Sequence, residues 1–317
     1  MSRTNVFLFS GQGSQYYQMG KELFLTNQTF RKWMFKQNEI MYDLTGESLL
    51  NHLYDQKRMK SELFDNLTFS HPAIFMVEVA LAQALIEGGR TPDYVAGTSL
   101  GEFASAVVAG VLEVDEVIRI LTTQARMVTA HCPPGGMITI IDNPALFEQE
   151  PILHENSELA SVNYHQSFVI SGTDEGLAVI QRYLDQQEKL YQRLPVRFAF
   201  HASYLDVVKP FYLDTLQGLT LRKPQIPFVS SVTGGILDEL PQDYFWEIAR
   251  QPIRFPQAVQ TLESIGSHDY IDMGPSGTMK NFVHHNLPQG STSECHTIMS
   301  PYSQDAANLE KLLGQNV

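Results

Sequence analysis

Five residues, Gly97-Thr98-Ser99-Leu100-Gly101, constrain this chain more than any other stretch. They follow the apolar segment Tyr94-Val95-Ala96 and open a spaced apolar run through Phe103, Val107, Val108 and Val111. The pattern predicts a strand, a sharp turn and a helix, with a serine at the apex. Glycines on both sides let the backbone bend tightly and keep side chains clear of the hydroxyl. The helix starting there aims unpaired N–H groups at the serine, where negative charge would develop on an attacked carbonyl. A serine that merely caps a helix gives the same pentapeptide, so the rest of the chain has to decide.

At 317 residues, with 43% hydrophobic and 18% charged residues, the chain is long and apolar enough for one large domain, with room for a smaller insertion. A formal net charge of -13 and no Lys/Arg-rich run argue against a nucleic-acid partner. Two cysteines, Cys132 and Cys295, form no framework and no Cys-x-x-Cys pair, which fits a reducing compartment. The apolar start Asn5–Phe9 is too short for a signal peptide, and no apolar run approaches a membrane span. A cytoplasmic protein with no membrane association is expected, and a monomer.

Val6–Phe9 reads as a buried strand that runs into the polar loop Ser10-Gly11-Gln12-Gly13-Ser14-Gln15. The loop is no nucleotide cradle. A dinucleotide fingerprint needs glycine where Tyr16 stands, and a P-loop needs it where Gln15 stands. Helices are expected over residues 20–70, then one from His71-Pro72 to Gly88-Gly89, and another from Val114 to Met127. After Cys132-Pro133-Pro134-Gly135-Gly136 the pattern changes to strand (137–141), short helix, hairpin (159–171), helix (173–186) and strand (190–200). That βαββαβ order predicts a ferredoxin-like small domain over residues 134–197. Residues 1–133 and 198–317 would form the larger α/β body, with further strands at Phe228–Val232 and Asp269–Met273.

A serine nucleophile needs a base within reach. His201 is the best placed of ten histidines, after the apolar Phe198-Ala199-Phe200 and before the small Ala202 and Ser203. On position alone an ordinary histidine at a strand end is the better reading. His131 and His165 are expected in loops, and His284-His285 on a polar helix end. No histidine or cysteine cluster has metal-ligand spacing, so no metal is expected.

Phe9–Gln15, Gly97–Phe103 and Ala199-Phe200-His201-Ala202-Ser203 together resemble the acyl-CoA:acyl-carrier-protein transacylases, in order and in separation. That family includes the malonyl transferases of fatty-acid synthesis and the acyltransferases of polyketide synthases. Further likeness lies in His71–Phe75, Val162-Asn163, Val169–Gly172, Pro252–Phe255 and Met273–Gly277, so it spans essentially the whole chain. The resemblance implies an α/β-hydrolase-like large domain, an inserted ferredoxin-like small one, and a site between them. Ser99 would be the nucleophile, His201 the base, and the backbone amides of Gln12 and Leu100 the oxyanion hole. A backbone carbonyl near Ile248 would orient His201 in place of a carboxylate; were a carboxylate used, Asp174 or Asp185 would suit the chain order. No cofactor is implied beyond the phosphopantetheine arm of an acyl carrier protein, the expected partner, or of CoA.

The departures from the family pattern set the expected substrate. Malonyl-type enzymes carry an arginine twenty-five positions after the serine, and here that residue is Gln124. Arg126 lies two residues on, turned about 200° around a helix. Thr98 stands where the family usually has histidine, and His71 where it has glutamine. With Phe200 and Asn163, these residues are the expected acyl-binding wall. A neutral amide cannot offset the cost of burying a carboxylate, so the pocket is expected to take an acyl group without a second one. Such relatives include stand-alone proofreading hydrolases of trans-acyltransferase polyketide pathways and transferases of monocarboxylic units; the length, ending at Val317, fits both. Hydrolysis of acyl–carrier-protein thioesters is the leading expectation. Acyl transfer, including malonyl transfer by another cation, is the alternative, and an idle carrier-binding module is a third. The carrier is expected to be acidic, which calls for a local basic surface, with Arg193, Arg197, Arg222 and Lys223 as candidates.

Overall fold

In the computed structural model, which describes residues 3–302 and 304–314, eleven strands divide between two sheets. In chain order they are β1 (Thr4–Phe9), β2 (Tyr94–Gly97), β3 (Gly135–Ile140), β4 (Glu158–Tyr164), β5 (Ser167–Thr173), β6 (Tyr191–Arg193), β7 (Phe228–Val229), β8 (Ile236–Leu237), β9 (Ile253–Arg254), β10 (His268–Asp272) and β11 (Glu294–Thr297).

The larger sheet has the order β11-β10-β1-β2-β7-β8 and is parallel except for the edge strand β8. Helices cover both faces, so β1 needs apolar residues on both, and Val6, Phe7, Leu8 and Phe9 are all buried. One face packs on a core with Phe7, Phe9 and the helix Leu67–Glu87; the other packs on Phe255, Val259, Leu262, Met279 and Val283. β1 and β2 lie side by side, with Phe9 opposite Gly97. Their C-terminal ends therefore deliver the Ser10–Gln15 loop and the Ser99 turn to one place, as is usual for sites in parallel sheets.

The smaller sheet has the order β6-β3-β5-β4-β9. Its first four strands follow the ferredoxin-like arrangement, with the β4–β5 hairpin and the helix Asp174–Gln186 as expected. Alternation along β3 sorts its side chains. Ile138 and Ile140 join Phe168, Leu177, Ile180 and Leu184 in a separate core. Met137, Thr139 and the following Ile141 face a cavity shared with Ser99. The fifth strand, β9, comes from far outside residues 134–197 and pairs in parallel with β4, Ser161 opposite Ile253.

Several elements differ from their sequence expectation. The helix expected to begin at Pro72 begins instead at Leu67, capped by the Asn66 side chain, and Pro72 lies inside it. That helix is buried nearly all round, and packing outweighs the lost hydrogen bond. Contrary to the expectation that nothing reaches span length, it is apolar and long enough to cross a membrane, but 83% of its most apolar window is buried inside the protein. The strand expected over 190–200 stops at Arg193, because Pro195 offers no N–H to a ladder. The strand at Phe228–Val232 stops at Val229, where the Ser230 hydroxyl accepts the N–H groups of Val232 and Thr233. His131 is not in a loop: it ends the helix Val114–His131 and stacks on Phe211.

Candidate active site

Ser99 sits at φ 53°, the left-handed region that non-glycine residues seldom enter. The turn is forced by contacts on both sides. A Cβ on Gly97 would lie 2.4 Å from the Glu102 nitrogen, and one on Gly101 would lie 2.2 Å from the Phe9 oxygen. Strand, turn and helix thus pack closer than any other residue type permits. Glu102, the first acidic residue of the helix Gly101–Val108, is buried and accepts from the Ser231 N–H (2.9 Å), its hydroxyl and the Tyr244 hydroxyl. On the β1 side, buried Glu78 accepts from the Ser10 N–H and hydroxyl, each at 2.7 Å, and fixes the start of the Gly11-Gln12-Gly13 loop. Among the described residues, the N–H groups of Gln12 and Leu100 donate to no protein acceptor.

His201 Nε2 is 2.8 Å from Ser99 Oγ. Its Nδ1 is 2.9 Å from the carbonyl oxygen of Gln251, which can only accept, so the proton sits on Nδ1 and Nε2 is left to accept from the serine. The backbone N–H of His201 donates to Ala249 O at 2.8 Å, and the residue takes φ 59°. Burial lowers the imidazole pKa to about 4 against the opposing pull of the Gln251 carbonyl, so the ring is neutral near pH 7. The orienting carbonyl is that of Gln251, not of Ile248, whose side chain instead lines a small cavity beside Ser99. The residue that supplies it immediately precedes Pro252 and β9, so the contact that orients the imidazole also ties the large body to the smaller sheet. Neither expected carboxylate reaches the histidine: Asp174 pairs with Arg193, and Asp185 accepts from the Tyr191 hydroxyl.

A cavity of about 420 Å³ opens beside the pair, lined by Gln12, Thr98, Ser99, Asn163, Phe200 and His201 among others. A second cavity, about 20 Å³, lies behind Ser99 and is lined by Gln12, His71, Leu100, Gln124 and Phe200. All nine residues expected at the site therefore border one cavity or both. No lysine or arginine lines either. Gln124 and His71 are buried, burial lowers the His71 pKa to about 4, and Arg126 is exposed to solvent.

The chain matches the acyl transferase domain model over residues 6–316. It belongs to that family. The chain is 45% identical over 312 residues to the polyketide biosynthesis acyltransferase homolog BaeD of Bacillus velezensis, covering 98% of this chain and 96% of that one. It is 42% identical over 309 residues to the homolog PksD of Bacillus subtilis, covering 98% and 95%. Among solved structures, a loading acyltransferase from the avermectin modular polyketide synthase superposes with a TM-score of 0.89 at 26% identity, covering 98% of both chains. The malonyl CoA-acyl carrier protein transacylase of Coxiella burnetii shares the fold, with a TM-score of 0.82 at 20% identity over 99% of this chain and 98% of that one. The chain is an enzyme acting on acyl thioesters.

Other features of the enzyme fall away from the site. Burial raises the Cys132 and Cys295 thiols to about 11, which leaves neither a nucleophile at neutral pH. Asp269, Glu294 and His296 meet across β10 and β11, a grouping that linear spacing concealed; Arg3 and Arg90 already pair with Asp269, so the cluster is compensated. The expected basic surface is neutralised in the same way. Arg197 pairs with Asp65, Arg222 with Glu113 and Glu116, and Lys223 with Glu239, as Arg193 does with Asp174. Sequence reasoning did not place Gln251, Ile253, Phe255, Met279 and Phe282 at the candidate site. Gln251 acts through its backbone, and Met279 and Phe282 are apolar residues indistinguishable from core; Ile253 and Phe255 lie in the family-like Pro252–Phe255 segment, which was not read as part of the site.

Proposed function

We propose that this enzyme hydrolyses acyl thioesters on acyl carrier proteins, removing stalled uncharged acyl groups in a polyketide pathway. Ser99 Oγ attacks the thioester carbonyl while His201 Nε2 takes its proton. The N–H groups of Gln12 and Leu100 hold the oxyanion, each worth about 2.7–4 kcal/mol of transition-state stabilisation. The C–S bond breaks, His201 returns the proton to the pantetheine thiolate, and the acyl group remains on Ser99. Water then adds with His201 again as base; the ester bond breaks, giving the free acid and Ser99 hydroxyl. The Gln251 carbonyl supports the imidazolium in each half-reaction, in the place a carboxylate takes in a triad.

The observation that carries this reading is the missing cation. Gln124 occupies the position of the expected arginine, His71 is held neutral, and no lysine or arginine borders either cavity. A malonyl carboxylate there would be buried without a partner. Wild type is therefore expected to form the Ser99 acyl-enzyme from acetyl thioesters far faster than from malonyl. Gln124→Arg should shift that preference toward malonyl by roughly a hundred- to several-thousandfold, the worth of about 3–5 kcal/mol for a buried pair. Intact-mass kinetics of both thioesters measures it, and efficient malonyl loading by wild type would return the protein to the malonyl transferases. Transfer of a monocarboxylic group to a second carrier shares the first half-reaction, and the likeness to a loading acyltransferase favours keeping it as the alternative.

The pH profile tests the base. A depressed histidine pKa leaves the reactive neutral form in place at every pH above about 4. Acylation should hold its plateau through pH 6 and 5 and fall with a midpoint near 4 as Nε2 takes up a proton. Rapid pH-jump measurement of acyl-enzyme formation checks this; a midpoint near 6.5 would mean a solvated histidine and a different base.

A further inference from the structure

The cavity of about 20 Å³ behind Ser99 has room for about one water-sized group. Its lining combines apolar walls, Phe103, Phe200 and Ile248, with three side chains that each have one buried polar atom without a hydrogen-bond partner. Gln12 Nε2 is a donor without an acceptor; Gln124 Oε1 faces the His71 ring but makes no close hydrogen bond, and His71 Nδ1, donor or acceptor according to tautomer, makes none either. Gln124 and His71 are 4% and 3% exposed, so bulk solvent does not satisfy them. Buried orphan atoms of this kind mark a missing hydrogen-bonding group.

The three atoms define its chemistry. A carboxylate only accepts, and leaves Gln124 Oε1 facing negative charge. A ketone oxygen also only accepts, and a methyl group does neither. A hydroxyl accepts from Gln12 Nε2 and donates to Gln124 Oε1, with His71 Nδ1 free to complete the set. Because the cavity borders Ser99 itself, the group belongs to the acyl chain within a bond or two of the carbonyl, while a longer or bulkier remainder has only the 420 Å³ cavity to occupy. We infer that the Gln12–His71–Gln124 cavity is a subsite for the hydroxyl of a small hydroxyacyl group, and that Gln124 sets this preference. The inference rests on Ser99 being the acylated residue but not on whether water or a thiol takes the acyl group afterwards.

Glycolyl and propionyl pantetheine thioesters provide the probe, since they have the same number of heavy atoms and differ by hydroxyl against methyl. Acyl-enzyme formation at Ser99 is followed by intact mass for wild type and Gln124→Leu. Because both proteins meet the same two thioesters, intrinsic reactivity cancels in the ratio of ratios. The glycolyl-to-propionyl ratio should fall about 10- to 100-fold in Gln124→Leu, the effect of leaving one buried hydroxyl without its partner. Gln124→Met, with a thermal melt alongside, serves if the leucine variant does not fold, and should move the ratio the same way. A ratio unchanged by both substitutions overturns the subsite. Absence both of acyl-enzyme and of thioester cleavage with the two substrates in wild type would overturn the Ser99 assignment and the subsite with it, which distinguishes the two failures.

Discussion

Ser99→Ala is expected to abolish the covalent acyl-enzyme and to reduce thioester cleavage to the rate set by binding and the oxyanion donors alone. The loss should exceed a thousandfold, because nucleophile and base act as a unit and removing either forfeits nearly the whole of their joint effect. The fold should survive. The residue is partly exposed in a turn built by Gly97 and Gly101, and its hydroxyl is bonded only to His201. Alanine at φ 53° carries the same backbone strain that serine already bears. Intact mass after incubation with an acyl thioester reads the result directly. Acyl-enzyme formed by Ser99→Ala would place the nucleophile elsewhere.

The second large effect is expected at His201. Loss of the imidazole should cut acylation by two to four decades, the usual range for a positioned base. His201→Ala also leaves a void and strands the Gln251 carbonyl, so a fold-preserving companion is needed. His201→Asn suits the position, since asparagine tolerates the left-handed backbone that His201 adopts at φ 59°. Both variants should retain the wild-type circular dichroism spectrum. Near-normal turnover in either would remove the dyad from the account. Neither Asp174 nor Asp185 is placed to take over, because Asp174 pairs with Arg193 and Asp185 accepts from the Tyr191 hydroxyl.

How much of this was legible in the sequence depended on whether function resides in side chains or backbone. Ser99 between glycines and His201 among small residues are patterns of residue type, and the family resemblance made candidates of both. The Gln251 carbonyl has no such pattern; any residue supplies one, and the fold alone decides that this one, just ahead of β9, meets Nδ1. The ferredoxin-like order was readable from alternating strands and the acidic first turn after Thr173, whereas β9 was not, since two residues leave no period to detect. Pro72 misled for a related reason: local rules place proline in a first turn, and a helix buried on nearly every side overrides them. The four basic residues were correctly found as charges, but their carboxylate partners lie up to 132 positions away in sequence. The small cavity's polar character is legible only in three dimensions, where residues 12, 71 and 124 meet.

The central claim, that water takes the acyl group from Ser99, has a direct test. An acetyl-loaded acyl carrier protein is mixed with wild type and an unloaded second carrier in ¹⁸O-water, and the acid and both carriers are weighed by mass spectrometry. The account predicts acetic acid carrying one ¹⁸O atom, the first carrier as the free thiol, and no acetyl on the second. Acetyl on the second carrier, with no free acid above the level seen with Ser99→Ala, would contradict it and make the enzyme a transferase.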